Sequence, residues 1–224
     1  MLPEWLPWLL QVNDTQFPSG AYAHSLGLED LVQHGLVRDA DGLRVFLRDH
    51  VGAALLAFDV PMLVRAHAAA GAGTLSELAA IDHELDAWKL ADELRQASRR
   101  MGSRRLALVR RLDPAPALHD FAALESPQHL LVVAALEMRT LPVAVAAWAH
   151  VHQTMTGSVG AAVKLLRLGQ DRAQAVLRDT LAELAPGVAA VVAAPPCSDP
   201  GWFNPMLEIA SLRHARARER LFIS

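Results

Sequence analysis

Cysteine is almost missing from this 224-residue chain: Cys197 stands alone. Neither an intrachain disulfide nor a cysteine-built metal cage can form, and that usage fits a reducing compartment. Aromatic residues make up only 5%, with one tyrosine, too few for a β-sandwich, which draws on β-branched and aromatic side chains. No apolar run approaches the ~20 residues of a membrane span. The N-terminus, Met1-Leu-Pro-Glu-Trp5, lacks the basic region and apolar core of a secretory signal, so a cytoplasmic location is expected. Neither sign of charge dominates: a net charge of −3 and a pI near 6.4 exclude a whole-chain electrostatic nucleic-acid binder. Gly-x-x-x-x-Gly-Lys-Ser/Thr, His-Glu-x-x-His, Gly-x-Ser-x-Gly and Gly-x-Gly-x-x-Gly are all missing. Their absence removes the usual sequence signals for nucleotide hydrolysis, zinc proteolysis, serine hydrolysis and dinucleotide binding.

What is present is helical. Hydrophobic residues reach 52%, and abundant alanine suits close helix packing. With no internal repeat and no sharp composition shift, residues 1–224 read as one all-α domain, a compact bundle of about ten helices. Asp39–Phe58 keeps Leu43, Phe46, Leu47, His50, Val51, Ala54 and Leu55 on one side. His50 within that stripe reads as a buried, hydrogen-bonded histidine rather than a ligand. Asp59-Val-Pro61 predicts a kink or break before a further helix over Met62–Ala70. Thr74-Leu-Ser-Glu77 has the spacing of a capping box, followed by Leu78, Ile81, Leu85 and Trp88 at helical intervals. Ser126-Pro127 predicts a cap and first-position proline ahead of an apolar helix over Leu130–Leu136. Thr140–Leu168 is the most apolar stretch, which places it at the centre of the bundle. Asp171 is a plausible cap for Arg172–Leu184, and Asn204-Pro205 starts a last helix.

Leu9–Glu29 carries the most unusual pattern. An apolar segment runs into Phe17-Pro18-Ser19-Gly20, where a helix is expected to begin at once with Ser19 as cap. Tyr22, His24 and Ser25 then occupy its first turn, Leu28, Leu31 and Val32 form the apolar stripe, and Gly35 ends it. The pattern alone fits either a helix whose polar first turn faces water or a functional segment.

The order and content of four stretches resemble the urease accessory protein F family. Leu9–Glu29 is similar to its N-terminal signature, leucine-rich and then Pro-x-Gly-x-Tyr-x-His/Tyr-Ser-x-Gly-Leu-Glu. Glu93-Leu-Arg95-Gln-Ala-Ser-Arg-Arg-Met101-Gly102 resembles Glu-Leu-Arg-x-x-Ser-x-x-Met-Gly. Leu168-Gly169-Gln170 matches a Leu-Gly-Gln turn. Arg213-His214 and Arg220-Leu221-Phe222-Ile223-Ser224 resemble a C-terminal helix with an Arg/His pair, ending in Arg-Leu-Phe-Arg-Ser; Ile223 stands in place of the final arginine. Pro142-Val143-Ala144 keeps part of a further motif, without its preceding His or following Gly.

The resemblance implies a non-catalytic helical chaperone without a cofactor. It implies a homodimer that binds the accessory scaffold called D or H, the nickel-carrying GTPase G and apo-urease, and that modulates GTP-dependent nickel insertion. Pro18, Gly20, Tyr22, His24, Ser25, Gly27 and Glu29 become candidate contacts with partners, as do Arg95, Gly102, Gly169 and Gln170. So do Arg213, His214, Arg220, Leu221 and Phe222, in a tail expected to order on the scaffold. For the glycines, a role in backbone shape stays open beside a role in contact.

Residues alone leave two rival classes: a generic helical adaptor, or an all-α enzyme handling an anion through the arginines of Arg95–Arg111. Ten histidines invite a metal test, but His150 and His152 diverge by roughly 200° on a helix, and His24, His34, His67, His83, His119 and His129 are scattered. No preformed metal site is expected, and no carboxylate pair advertises acid–base work.

Overall fold

A computed structural model describes residues 2–18, 24–194, 200–201, 203–217 and 219–222. Among these there are ten helices and no strand. They are α1 Leu6–Asn13, α2 Leu28–Gln33, α3 Ala40–Gly71, α4 Leu75–Trp88, α5 Asp92–Leu112, α6 Pro116–Ala122, α7 Leu130–Glu137, α8 Val143–Leu165, α9 Gln170–Ala193 and α10 Pro205–His214. One contiguous apolar cluster runs through them from Val12 to Phe222.

The helix buried on every side is α7, not the long α8 that its composition put at the centre. Each residue from Leu131 to Glu137 is buried, between α5 and α3. In α8 one face is covered by α9 while His152 and Gly160 stay exposed. Eight residues make little more than two turns, so a continuous apolar run can be enclosed completely; twenty-three cannot. His150 is buried and His152 exposed, as their spacing requires.

The expected break at Asp59-Val-Pro61 does not occur. Residues 40–71 form one helix that widens to π-type turns over Phe46–Gly52 and Leu55–Asp59. Pro61 falls in the first turn of the α-helical segment that follows, where its missing N–H is tolerated. This helix is also long and apolar enough to cross a membrane by composition, contrary to the reading that no segment is; 56% of its most apolar window is buried inside the protein. Likewise α9 passes through Pro186 to Ala193 instead of ending at Leu184.

Two expected caps are used differently. Thr74 Oγ1 lies 3.1 Å from Ala69 O and 3.2 Å from Glu77 Oε2, alternative acceptors for its one hydrogen, and its side chain takes no backbone N–H. Ser126 does not open a helix: its hydroxyl donates to Asp82, and α7 begins only at Leu130. Asp171 lies in the first turn of α9, one residue inside the helix start, with Gly169 at the cap. Asn204 behaves as predicted, accepting from Met206 and Leu207 N–H at 3.1 and 3.3 Å. Its Nδ2 also reaches His50 Nδ1 at 2.8 Å, so His50 is hydrogen-bonded as expected, though half-buried instead of buried.

Asp82 organises the crossing of α4, α5 and the segment before α7. Its carboxylate accepts the N–H groups of Gln128 and His129 at 2.5 and 2.9 Å, and so holds Gln128 at a φ of 60°. A left-handed glutamine costs about 1–2 kcal/mol, which charge-assisted bonds of this kind offset. Gly102 then lets α5 lie directly on that backbone: a Cβ there would collide with Gln128 O, His129 C and Leu130 N. Those atoms are main chain and cannot swing away. We therefore expect Gly102→Ala to cost about 3 kcal/mol, at the upper end for overpacking, read as a lower urea midpoint with little change in helix content.

Candidate functional site

The expected helix at Ser19 is absent from the described part of the first motif. Residues 19–23, including Gly20 and Tyr22, lie outside the described residues, as do Cys197 and Ile223. His24 and Ser25 precede a tight turn, and α2 starts only at Leu28. That turn uses the left-handed region twice, at Leu26 (φ 53°) and Gly27 (φ 84°). The polar residues do not face water: His24, Ser25, Glu29 and Asp30 are all buried. Packing explains this, because α2 is pressed between α8 and α10. A Cβ on Gly27 would sit 3.2 Å from Ala210 Cβ of α10.

Glu29 is the centre of the arrangement. Its Oε1 accepts Leu221 N–H at 2.7 Å, and its Oε2 accepts Phe222 N–H at 3.0 Å. The Glu29 N–H lies 3.4 Å from Ser25 Oγ, and Gln33 Nε2 approaches Oε1 at the same distance. His214 Nε2 stands 3.1 Å from Glu29 Oε2, while its Nδ1 meets both Glu93 oxygens at 3.0 and 3.1 Å. An imidazole between two carboxylates serves both only when each ring nitrogen carries a hydrogen. Arg220 Nη1 completes the chain at 3.3 Å from Glu93. Thus Glu29 of the first motif, Glu93 of the second and His214, Arg220, Leu221 and Phe222 of the tail form one network. The tail, expected to order on the scaffold, already makes contacts within its own chain: Phe222 is buried, with Lys164 5.6 Å from its ring centre.

The remaining predicted residues separate. Pro18 is exposed. Arg95 folds back on the α4–α5 junction, donating to Lys89 O at 3.1 Å and Asp92 Oδ1 at 2.8 Å. Gly102 is the backbone crossing described above. Gly169 has no atom near a would-be Cβ and an ordinary φ of −64°. Gln170 borders a groove of about 270 Å³ with Phe17, Gln153 and Lys164. Arg213 is exposed at the end of α10.

Sequence reasoning missed a second polar cluster. Arg105, 0% exposed, pairs with Glu137 at 2.6 and 3.2 Å, reaches Gln153 at 3.3 Å and lies 5.4 Å from the centre of the Phe17 ring. Burial pushes the Glu137 carboxyl up, against the pull of the guanidinium. His129 joins Ser98 of α5 to Asp86 of α4 at 3.0 and 2.9 Å. Although burial pushes Asp86 up, hydrogen bonds from Arg99 and His129 hold it below the usual carboxylate range. A signal existed: Asp82 falls at Leu78 plus four, on the apolar stripe of α4, and Arg105 adjoins the buried Leu106 and Val109.

Between these clusters lies a cavity of about 150 Å³ bordered by His24, Asp59, Ser98, His150 and Gln153. His24 is lowered to about 4, by burial first and then by Arg100 and Arg104. Among the described residues no three His, Cys, Asp or Glu side chains converge to hold a metal ion.

The site thus defines an all-helical module in which α2 and the residues that follow α10 are locked together. The lock sits under a helix with an exposed apolar face: Met206, Ile209 and Leu212 of α10, with Phe203 just before it, 62% exposed. The UreF family model matches residues 37–181. The chain is 32% identical to urease accessory protein UreF of Arthrobacter sp. (strain FB24), with 96% of each chain covered. It is 34% identical to that of Paenarthrobacter aurescens (strain TC1) at the same coverage, and 34% identical to that of Nitrosococcus oceani, where 96% of this chain and 97% of the relative are covered. The chain belongs to the UreF family.

Two outcomes follow from the geometry. His214→Ala removes the ring that bridges Glu29 and Glu93 and leaves Glu93 with Arg220, and we expect a loss of about 3 kcal/mol in unfolding free energy; faster amide exchange at Leu221 and Phe222 reports the freed tail. His24 titrates near 6.5 when unfolded and at about 4 when folded, so between those values the unfolded state binds more protons. Stability is complete above 6.5 and falls as pH drops toward 4, by up to about 3 kcal/mol from this group. His129 is also pushed down by burial, so its contribution has the same sign and weakens as pH falls. His24→Asn removes the first share, so its urea midpoint varies less with pH across that interval.

Proposed function

We propose that this chain is a non-catalytic accessory protein of urease maturation. It acts in the cytoplasm and joins a D/H-type scaffold protein and the GTPase G to apo-urease, modulating GTP-dependent nickel insertion. Family membership across 96% of the chain supports the maturation role. The observation that carries the binding mode is the Glu29–His214–Glu93 network, which gathers three separated segments beneath one exposed apolar face.

On this reading Met206, Ile209 and Leu212 meet the scaffold protein, with the exposed Leu221 as a further contact. Exposed apolar residues spaced along one helix mark a protein-binding face when they cluster. Glu29, His214 and Arg220 act indirectly, by fixing the tail and α10 against α2. Gly27 serves the same end through close approach, and so does Gly102 through the α5 crossing. Pro18, Gly20, Tyr22 and Gln170 remain proposed contacts for a second copy of the chain or for the GTPase. Turnover of the GTPase is then gated by which of its states the assembly binds more tightly, since only differential affinity shifts such an equilibrium.

Light scattering coupled to size-exclusion chromatography tests this with the chain alone and with its host's D/H-type protein and GTPase. We expect a dimer alone and a larger complex in the mixture. Ile209→Asp with Leu212→Asp should weaken scaffold association at least about tenfold, as loss of central apolar contacts does, without lowering the melting temperature. A monomer that ignores both partners would falsify the reading.

A further inference from the structure

Six of the seven arginines of α5 divide into two groups, with Arg110 half-buried apart from both. Arg95, Arg99 and Arg105 are paired with Asp92, Asp86 and Glu137. Arg100, Arg104 and Arg111 are exposed and make no ion pair or hydrogen bond among the described residues. At 100° per residue these three fall within an arc of about 40° and span about 16 Å of helix. Arg100 and Arg104 stand four residues apart, where like charges repel. The carboxylates that could relieve them are engaged elsewhere: Asp92 by Arg95, and Glu93 by His214 and Arg220. The stripe begins beside the terminal lock, since Arg100 borders a cleft with Glu93, Ser211 and Leu212. Its field also reaches inward, because Arg100 and Arg104 help to hold the buried His24 neutral.

We propose that the Arg100–Arg104–Arg111 stripe is a docking surface for an acidic segment of a protein partner. A helix that matches Arg95, Arg99 and Arg105 with carboxylates keeps three exposed, unmatched guanidiniums in line, at a cost to its own stability. A carboxylate-rich surface would remove that repulsion and take bidentate contacts that lysine could not offer. A nucleic acid is the less favoured occupant, since the whole chain carries a net charge of −3. The proposal rests on the maturation reading only for the choice of proteins to test.

The test measures association of the full chain with the D/H-type scaffold, the GTPase and apo-urease, each separately, at low and physiological salt. With the unaltered chain, the affinity for one of them should fall as salt rises. Arg100→Glu with Arg104→Glu should weaken that same association at least about tenfold at low salt, an effect within the range of interfacial charge pairs. Arg100→Lys with Arg104→Lys should keep the salt dependence and lose less. Far-UV circular dichroism and melting temperature should be unchanged, because both side chains are exposed. Unaltered affinity in the charge-reversed variant overturns the proposal while leaving the maturation reading standing. So does a salt-sensitive affinity for duplex DNA that the reversal abolishes while every protein association persists. An unaltered chain that binds none of the three proteins removes the maturation reading and this assignment together.

Discussion

A buried carboxylate of α2 holds Leu221 and Phe222 from the far side of the sequence. Glu29 accepts two successive main-chain N–H groups from Leu221 and Phe222 and faces the His214 imidazole on the same side. Burying an ionised carboxyl is expensive unless its oxygens are filled by donors, and here the donors come from the far end of the chain. The terminal residues cannot leave without stranding that charge. Much else follows from this constraint. Gly27 is small because α10 must lie on α2, Leu26 and Gly27 adopt the left-handed region to turn the chain into α2, and Phe222 finds a pocket beside Lys164. The helix that displays Met206, Ile209 and Leu212 is held by this lock at one end and by Asn204 and His50 at the other.

The helical class and most helix positions were legible in the sequence, because they rest on local periodicity. Leu130–Glu137 and the Asn204-Pro205 start are visible as an apolar run and a cap followed by proline. Boundaries failed where a tertiary partner outbid a local signal. Ser126 has a cap's spacing, yet its hydroxyl serves Asp82, forty-four residues away. Pro61 reads as a breaker, but a widened turn absorbs it inside a helix packed on both α4 and α7. The ranking of α8 over α7 failed because composition measures how apolar a segment is. It does not measure how many neighbours can surround it.

The site was half legible. The resemblance drew attention to Glu29, His214 and the tail, and the structure brings those residues together. Nothing in a one-dimensional pattern says that His214 lies between Glu29 and Glu93, which are 185 and 121 residues away. The arginine-rich stretch is the reverse case. Its charge is obvious in the sequence, but the division between structural and exposed guanidiniums is not. Arg95 drew attention by its place in a motif and turns out to clip a helix junction; Arg105 drew none and is fully buried.

That division bears on how the chain can serve as a connector. A buried pair such as Arg105–Glu137 adds little net stability over an apolar pair of the same size, because desolvation consumes most of the attraction. What it does is fix relative placement: the guanidinium reaches Glu137, Gln153 and Phe17 at once and so registers α5, α7, α8 and the entrance to the first motif. His129 and Asp82 do the same for α4, α5 and the start of α7. On the proposed non-catalytic role, placement of partners is what the chain supplies, and polar clusters with fixed angles hold placement better than interchangeable apolar contacts. The interior of this bundle therefore spends its charges on alignment, and α5, aligned by them, carries the arginines that remain exposed.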